Sequence, residues 1–555
     1  MRTAVFLLPA MFLMILLMPI SGYRHLWQDE LETAERAKSI VYGGAGVPLT
    51  IDPYGQVSLN AGGREIEEGA VHRYTPWGQF YFGAVGIVTG SVLDTSPDAS
   101  VRSPFILAHA LTSSLIGYGL YALAGLPMIP SLFVSSIFGL QSVRLINNRT
   151  CRYHALLDLL FAIGMIGIGL RNRKDSKLAK ALVGCAVFLL PQCHTLGGSL
   201  LASLLVLASI ASSIYLQFEK GPSRSFWLSL KTALAQSFWS ALVPIVLSIF
   251  LVLILTRPWL QTAWNSMPGP NTFRSIKSGF EIAYAFYIFA AAIVFFLFQK
   301  ERRFSILLGT LILYVFVAGR ILDLHPFSQA RYYLSLPIFF LFWPIALPWP
   351  KKVFLRSSTL VGIATIGILL PEIQGVMPPL QGIRVVLNDW RLQAEGESQP
   401  LREALQTIRE AGSKDAVLID YVPQFANWYL PAQPIALMPD SAMKTQLNRN
   451  NPVWDIQLLE PEWHLAFFTA GNGLWTCSPK CDFTSRGFGP SADRYELFSG
   501  RLDRSFSMCI VKRWKTYRWN NAPFAAYSAA SLFAAGTSGD EGTAFDELTL
   551  ARRCR

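Results

Sequence analysis

Charge is what this chain has least of. Only 15% of its 555 residues are Asp, Glu, Lys or Arg, against roughly 25% in a soluble domain. The shortage is uneven. Residues 1–371 hold 29 basic and 16 acidic side chains, a net of +13, whereas 372–555 hold 19 and 20, a net of −1. The basic excess therefore sits in the apolar part of the chain. That excludes a soluble enzyme and a disordered chain. It also excludes a nucleic-acid binder, whose basic residues would gather on a water-facing patch. Cysteine is scarce too. Seven in this length do not make a disulfide framework, and Cys151, Cys185 and Cys193 lie in or beside apolar runs, where a thiol packs as a small hydrophobe. Cys477 and Cys481 form the one close pair in the tail, open to a local bridge or to free thiols. A zinc site would need a second pair, or histidines at ligand spacing, and the sequence has neither there.

What remains is a polytopic membrane protein with a water-soluble tail. Runs long enough to cross a bilayer, roughly 17 to 25 residues each, occur near 4–20, 104–124, 127–145, 154–170, 181–194, 197–217, 233–256, 279–298, 304–320, 332–349 and 353–371. The run 181–194 is short and extends back over Lys180. The first run lacks a clean small-x-small cleavage site after it and reads as a retained helix. The segment 78–92 is marginal in length and reads as lying in the interface. Positive-inside counting supports that choice: with eleven spans and a cytoplasmic N-terminus, 15 basic residues fall inside and eight in the short outside loops. The first external loop 22–101, the turn around 147–153, His194, the loop 257–278, 323–331 and the whole tail then share the outer face.

That face collects the chemistry. The part of the first loop before residue 78 holds eight of the 16 acids of residues 1–371, led by Asp29 and Glu30, with a helical pattern from Glu32 to Tyr42 placing Ala34, Ala37, Ile40 and Val41 on one side. Acids at a helix start also favour the dipole with no further role. Asp158 lies in an otherwise apolar span, at a cost of about 2.5–3.5 kcal/mol on insertion scales. Its structural reading is an acid paired with Arg152. Past residue 371 the pattern turns to soluble α/β: SQPLREALQTIREAG is an amphipathic helix with Leu401, Leu405 and Ile408 on one side, DAVLID and PIALM are strands, and YVPQFANWYLP is a helix. Trp428 and Tyr429 fit a core aromatic pair better than a sugar platform. The end from about 522 is expected to be poorly ordered. The triplet Asn148-Arg149-Thr150 fits a glycosylation sequon, a match of only three residues.

Five stretches, in this order, carry a family resemblance: QDELETAERAKSIVYGGAGVP, HRYTPWGQFYFGAVGIVTG, NNRTCRYHALLDLLFAIG, LLPQCHTLGG and HPFSQARYYLSLP. Loosely, over 1–371, the chain resembles the GT-C glycosyltransferases, and within them the protein O-mannosyltransferase and lipid A aminoarabinose transferase branch. The resemblance implies a GT-C type membrane module of about eleven transmembrane helices at 1–371 and an external, periplasmic α/β domain at 372–555. It also implies a bacterial inner-membrane location and an inverting transfer of sugar from a polyprenyl-phosphate donor to an acceptor lipid, glycan or protein. Asp29 would be the general base and Glu30 its neighbour or alternate. His72, Arg73, Arg149, Arg152, Tyr153, Asp158, His194, Arg331 and Tyr332 would line the donor and substrate site. Thr75 stands where the family usually has Lys, and His72 or Arg73 is the expected substitute. No metal or other cofactor is indicated, although the oligosaccharyltransferase branch uses a divalent ion. The competing readings are a lipid or sugar transporter, which would show inverted halves and broken helices, and a non-catalytic assembly protein of the same fold.

Overall fold

The computed structural model describes residues 2–24, 26, 28–42, 46–49, 71–73, 75–173, 176–220, 226–257 and 380–396, together with a set of strands and Trp428. The side chains of Gln28 and Asp29 are outside that description. So are the expected spans 279–298, 304–320, 332–349 and 353–371, the tail helices at 398–412 and, apart from Trp428, 421–431, and Cys477 and Cys481. The chain divides into two compact units, one made of 1–22, 72–388 and 526–537, the other of 23–71, 389–525 and 538–555.

The first unit is a stack of helices: α1 Arg2–Leu17, α3 Gly78–Leu93, α4 Pro97–Tyr118, α5 Met128–Leu140, α6 Ser142–Asn147, α7 His154–Arg173, α8 Lys177–Cys193, α9 Thr195–Lys220, α10 Phe226–Ser237 and α11 Val243–Thr256. α2, Gln28–Tyr42, belongs to the other unit. Four stretches among the described residues are long and apolar enough to cross a membrane: Pro97–Leu123, His154–Arg173, Gly197–Gln217 and Trp227–Thr256. With the composition, they make this an integral membrane protein built mostly of helices.

Local chemistry sets the ends. Ser96 caps α4 by accepting from the Ala99 amide, Pro97 fills the first turn where no amide partner is needed, and Asp98 faces the positive end of the helix dipole. Ser176 caps α8 in the same way, accepting from Ala179 at 3.1 Å, so the span expected at 181–194 begins at Lys177. α4 ends in a π-turn, Gly119–Leu123, and a second π-turn, Phe238–Leu242, joins α10 to α11. The run 127–145, read as one span, is broken. Gln141 is extended (φ −54°, ψ 128°) between α5 and α6.

Helix α3 begins and ends at the same end of this unit. Its first residue, Gly78, packs so closely on the last turn of α8 that an added Cβ would lie 2.7 Å from the Gln192 carbonyl oxygen and 3.1 Å from Cys193 Sγ. Its far end meets the start of α4, where the Thr95 and Ser100 hydroxyls are 2.7 Å apart. The start of α4 in turn holds the end of α1, with Arg102 Nη1 donating to the Ser21 carbonyl at 2.7 Å. The opposite ends of α4 and α7 meet as Arg173 donates to the Leu123 carbonyl. The starts of α4 and α7 and the last turn of α8 therefore face one way, and α3 stays on that side. Tyr81, Val85, Val88 and Val92 stand exposed along it, as expected of a helix resting on lipid.

The second unit contains α2 and a six-stranded mixed sheet of order β4-β3-β5-β8-β7-β6. Its strands are β3 Val417–Ile419, β4 Ile435–Leu437, β5 His464–Thr469, β6 Arg494–Phe498, β7 Ser505–Tyr517 and β8 Phe545–Arg553. β3 and β4 fall on the DAVLID and PIALM segments and pair in parallel. β8 departs from the expectation of a poorly ordered end: it is hydrogen-bonded on both sides, to β5 and to β7. Its alternation of Leu548 and Leu550 with Glu547 and Thr549 is a strand pattern lost among the Ala, Ser and Gly that precede it. A short hairpin, β1 Ser58–Leu59 with β2 Glu65–Ile66, lies in the first loop.

In the same unit α2 buries Leu31, Ala34 and Ala37, while Ile40 and Val41 are only half-buried. The chain then turns back, with the Leu49 amide donating to Ser39 Oγ at 2.9 Å. Arg24, just before α2, closes on Asp389 of the helix Gln381–Ala394: Nε and Nη2 reach one carboxylate oxygen at 2.8 and 2.7 Å.

Candidate active site

At the α3 side of the first unit three loops meet: the residues before α3, the α6–α7 turn and the α8–α9 turn. Pro191 and a tight reversal shape the last. His194 Nδ1 accepts from the Gly197 amide at 3.0 Å and so caps α9, which leaves the ring proton on Nε2. The turn depends on glycine, since a Cβ on Gly198 would run into the Leu190 carbonyl. That is the physical content of the LGG that follows His194.

The Tyr153 ring lies against the His194 ring (centroids 3.8 Å, 32° between planes) and against His154 (4.2 Å). The Arg152 guanidinium sits 5.3 Å from the Tyr153 centroid, within the range of a cation–π contact. Tyr153 and Arg152 are buried and Arg149 is half-buried. Three residues expected of the site, Arg152 and Tyr153 of the α6–α7 turn and His194 of the α8–α9 turn, are therefore brought together.

His72 and Arg73 approach from the α3 side and are already engaged. His72 is fully buried, its Nε2 3.2 Å from Thr75 Oγ1 and its carbonyl accepting from Trp77 Nε1 at 2.7 Å. Thr75, where the resemblance expects Lys, is thus in contact with one of the two residues expected to substitute for it. Arg73 donates to the Leu255 carbonyl at 3.0 Å, satisfying the open end of α11. Its pKa is lowered by partial burial and then by the Arg257 guanidinium.

Asp158 takes Arg144 Nη1, not Arg152, as its ion-pair partner, and it also accepts from Asn148 Nδ2 at 3.1 Å. Arg144, Asn148 and His109 are the residues that the sequence reading passed over. Arg144 hides inside an apolar run, and its one signal was a basic residue in a short outer loop.

Asp29 and Glu30 lie on α2 of the second unit, with Glu30 fully buried. Arg331 and Tyr332 lie outside the described residues. Among the described residues no three His, Cys, Asp or Glu side chains come together as metal ligands.

No family model and no curated protein matches the chain. Among solved structures it is similar to ArnT from Cupriavidus metallidurans bound to undecaprenyl phosphate, at 12% identity over 84% of this chain and 93% of that one, with a TM-score of 0.43. For the apo state of that ArnT the figures are 14%, 84%, 94% and 0.42. The archaeal oligosaccharyltransferase AglB from Archaeoglobus fulgidus, in complex with an inhibitory peptide and a dolichol-phosphate, is similar at 12% identity. That match covers 83% of this chain and 60% of the other, with a TM-score of 0.35.

Proposed function

We propose that this protein is a membrane glycosyltransferase that moves a sugar from a polyprenyl-phosphate donor to an acceptor on the outer face of a bacterial inner membrane. The observation that carries the reading is the meeting of Arg152, Tyr153 and His194 from two separate loops at one end of a lipid-embedded helix stack. Each of the three stands in a stretch that resembles the GT-C pattern.

The chemistry asks for such a place. The leaving group is a lipid phosphate, an anion that stays at the water–lipid boundary. A guanidinium offers it a planar, permanently charged, two-pronged partner, and Arg152 and Arg149 fill that role, with Arg331 and Tyr332 supplying the rest. The acceptor hydroxyl or amine loses its proton to the Asp29 carboxylate as it attacks the anomeric carbon. One bond forms to the acceptor, the bond from the anomeric carbon to the phosphate oxygen breaks, and the polyprenyl phosphate departs with the electron pair. A single displacement inverts configuration. Glu30 orients Asp29 or replaces it. The proposal includes no metal or cofactor, and the external domain and acceptor lipid, glycan or protein complete the picture.

The test is Asp29→Asn in the full chain, followed by transfer of labelled sugar from a polyprenyl-phosphate donor. Loss of transfer at normal expression supports the enzyme. Unchanged function in cells favours the transporter or the non-catalytic protein.

A further inference from the structure

Asp158 sits in the middle of a group of buried polar side chains that hold one another. His109 of α4, fully buried, has Nε2 3.0 Å from the Gly139 carbonyl and Nδ1 3.0 Å from Asn148 Nδ2. A carbonyl can only accept, so Nε2 carries the proton and Nδ1 is a bare acceptor. Asn148 Nδ2 faces both that nitrogen and Asp158 Oδ2. A carboxylate also only accepts, so the amide group is fixed in orientation and its two hydrogens serve the two acceptors. Arg144 supplies the matching positive charge to Asp158 and lies 4.2 Å from the Phe138 ring centroid. The histidine is neutral, the ion pair cancels, and all four residues are at most 7% exposed.

The group sits at the helix break. In a continuous helix the Gly139 carbonyl would accept from the amide four residues on. The extended Gln141 ends that ladder, and His109 takes the freed carbonyl. Arg144 stands on α6 just beyond the break, Asn148 at its end, and Asp158 in the second turn of α7. The six-residue turn between them carries Arg149, Arg152 and Tyr153.

We propose that Asp158 is a positioning residue: with Arg144, Asn148 and His109 it locks the break between α5 and α6 and holds the Arg149–Tyr153 turn in place, without touching the sugar or its phosphate. The purpose of the turn rests on the glycosyltransferase reading; the lock does not.

The test is a cycle in the full-length protein in detergent: Arg144→Met, Asp158→Leu and the double variant. Each is read by Tm, by hydrogen exchange of the 148–153 amides and by binding of undecaprenyl phosphate. Either single change leaves one buried charge unmatched and should lower Tm, open the turn to exchange and weaken binding by about tenfold. Removing both charges should restore all three measures toward wild type. A double variant no more stable or protected than the singles overturns the lock. A double variant that regains stability and protection but binds as weakly as Asp158→Leu overturns the positioning role, because the carboxylate then meets the donor itself. If the wild type does not bind undecaprenyl phosphate, the glycosyltransferase reading fails, and the Tm and exchange arms still decide the lock. Should the apolar variants not fold, Arg144→Gln and Asp158→Asn carry the same comparison.

Discussion

Helix α7 meets a buried arginine near each of its ends, and the two are accommodated differently. Near the start, Arg144 closes on the Asp158 carboxylate, which also takes the Asn148 amide. Near the finish, Arg171 spreads over the hydroxyls of Ser209 and Ser213 at 2.8 and 3.0 Å and reaches Ser212 and the Ser209 carbonyl as well. Ser209 is itself 3.0 Å from Ser237 of α10, so this contact ties α7, α9 and α10 together. A carboxylate fixes a partner through charge, and losing one member strands the other. Hydroxyls rotate and share, so a bed of serines tolerates adjustment. The difference separates the end that carries the candidate site, where side-chain geometry is specified, from a far end, where helices are merely joined.

The sharpest way to break that distinction is to compare turnover with stability. On the proposed glycosyltransferase reading, with Asp29 as its general base, Asp29→Asn should reduce sugar transfer by about 10²–10⁴-fold, with no fall in Tm. Equal transfer losses per folded molecule from a far-end substitution would erase the contrast. Arg152→Ala should raise the KM for the lipid-phosphate donor by about 10- to 100-fold, as expected for hydrogen bonds to a charged group. Arg152→Lys should recover only part of it, since an ammonium lacks the planar fork. Arg171→Met should act in the other direction, lowering stability by about 2 kcal/mol while the rate per folded molecule holds, as followed by thermal unfolding beside a transfer assay. The smallest effect is Ser176→Ala, which removes the α8 cap and should cost about 1 kcal/mol, visible as a modest Tm shift and nothing else.

Much of the scaffold could be read from residues alone, because lipid imposes a simple demand: about twenty apolar residues and no open backbone groups. The stretches 104–124, 154–170, 197–217 and 233–256 all lie on helices long and apolar enough to span. The break at Gln141 could not be read in this way. The run 127–145 is mostly apolar, Gln141, Ser142 and Arg144 do not of themselves end a helix, and the carbonyl freed at the break is taken by His109, thirty residues away. For the candidate site, the sequence named residues and could not give their pairings. Tyr153 and His194 were singled out separately, but nothing in sequence spacing says that their rings stack. Asp158 invited Arg152, six residues back, because local pairs are easy to imagine. The turn instead brings Arg144. The Arg24–Asp389 pair, 365 residues apart, is beyond any local pattern.

Asn148 heads a triplet that an oligosaccharide-attaching enzyme would recognise, yet its amide nitrogen is committed to two neighbours and the residue is 2% exposed. A folded molecule cannot offer that nitrogen for modification. Produced in yeast or animal cells, correctly assembled chains would run bare on a gel at this position. A mobility shift removed by endoglycosidase and abolished by Thr150→Ala would mark the misassembled fraction, giving a built-in gauge of production quality.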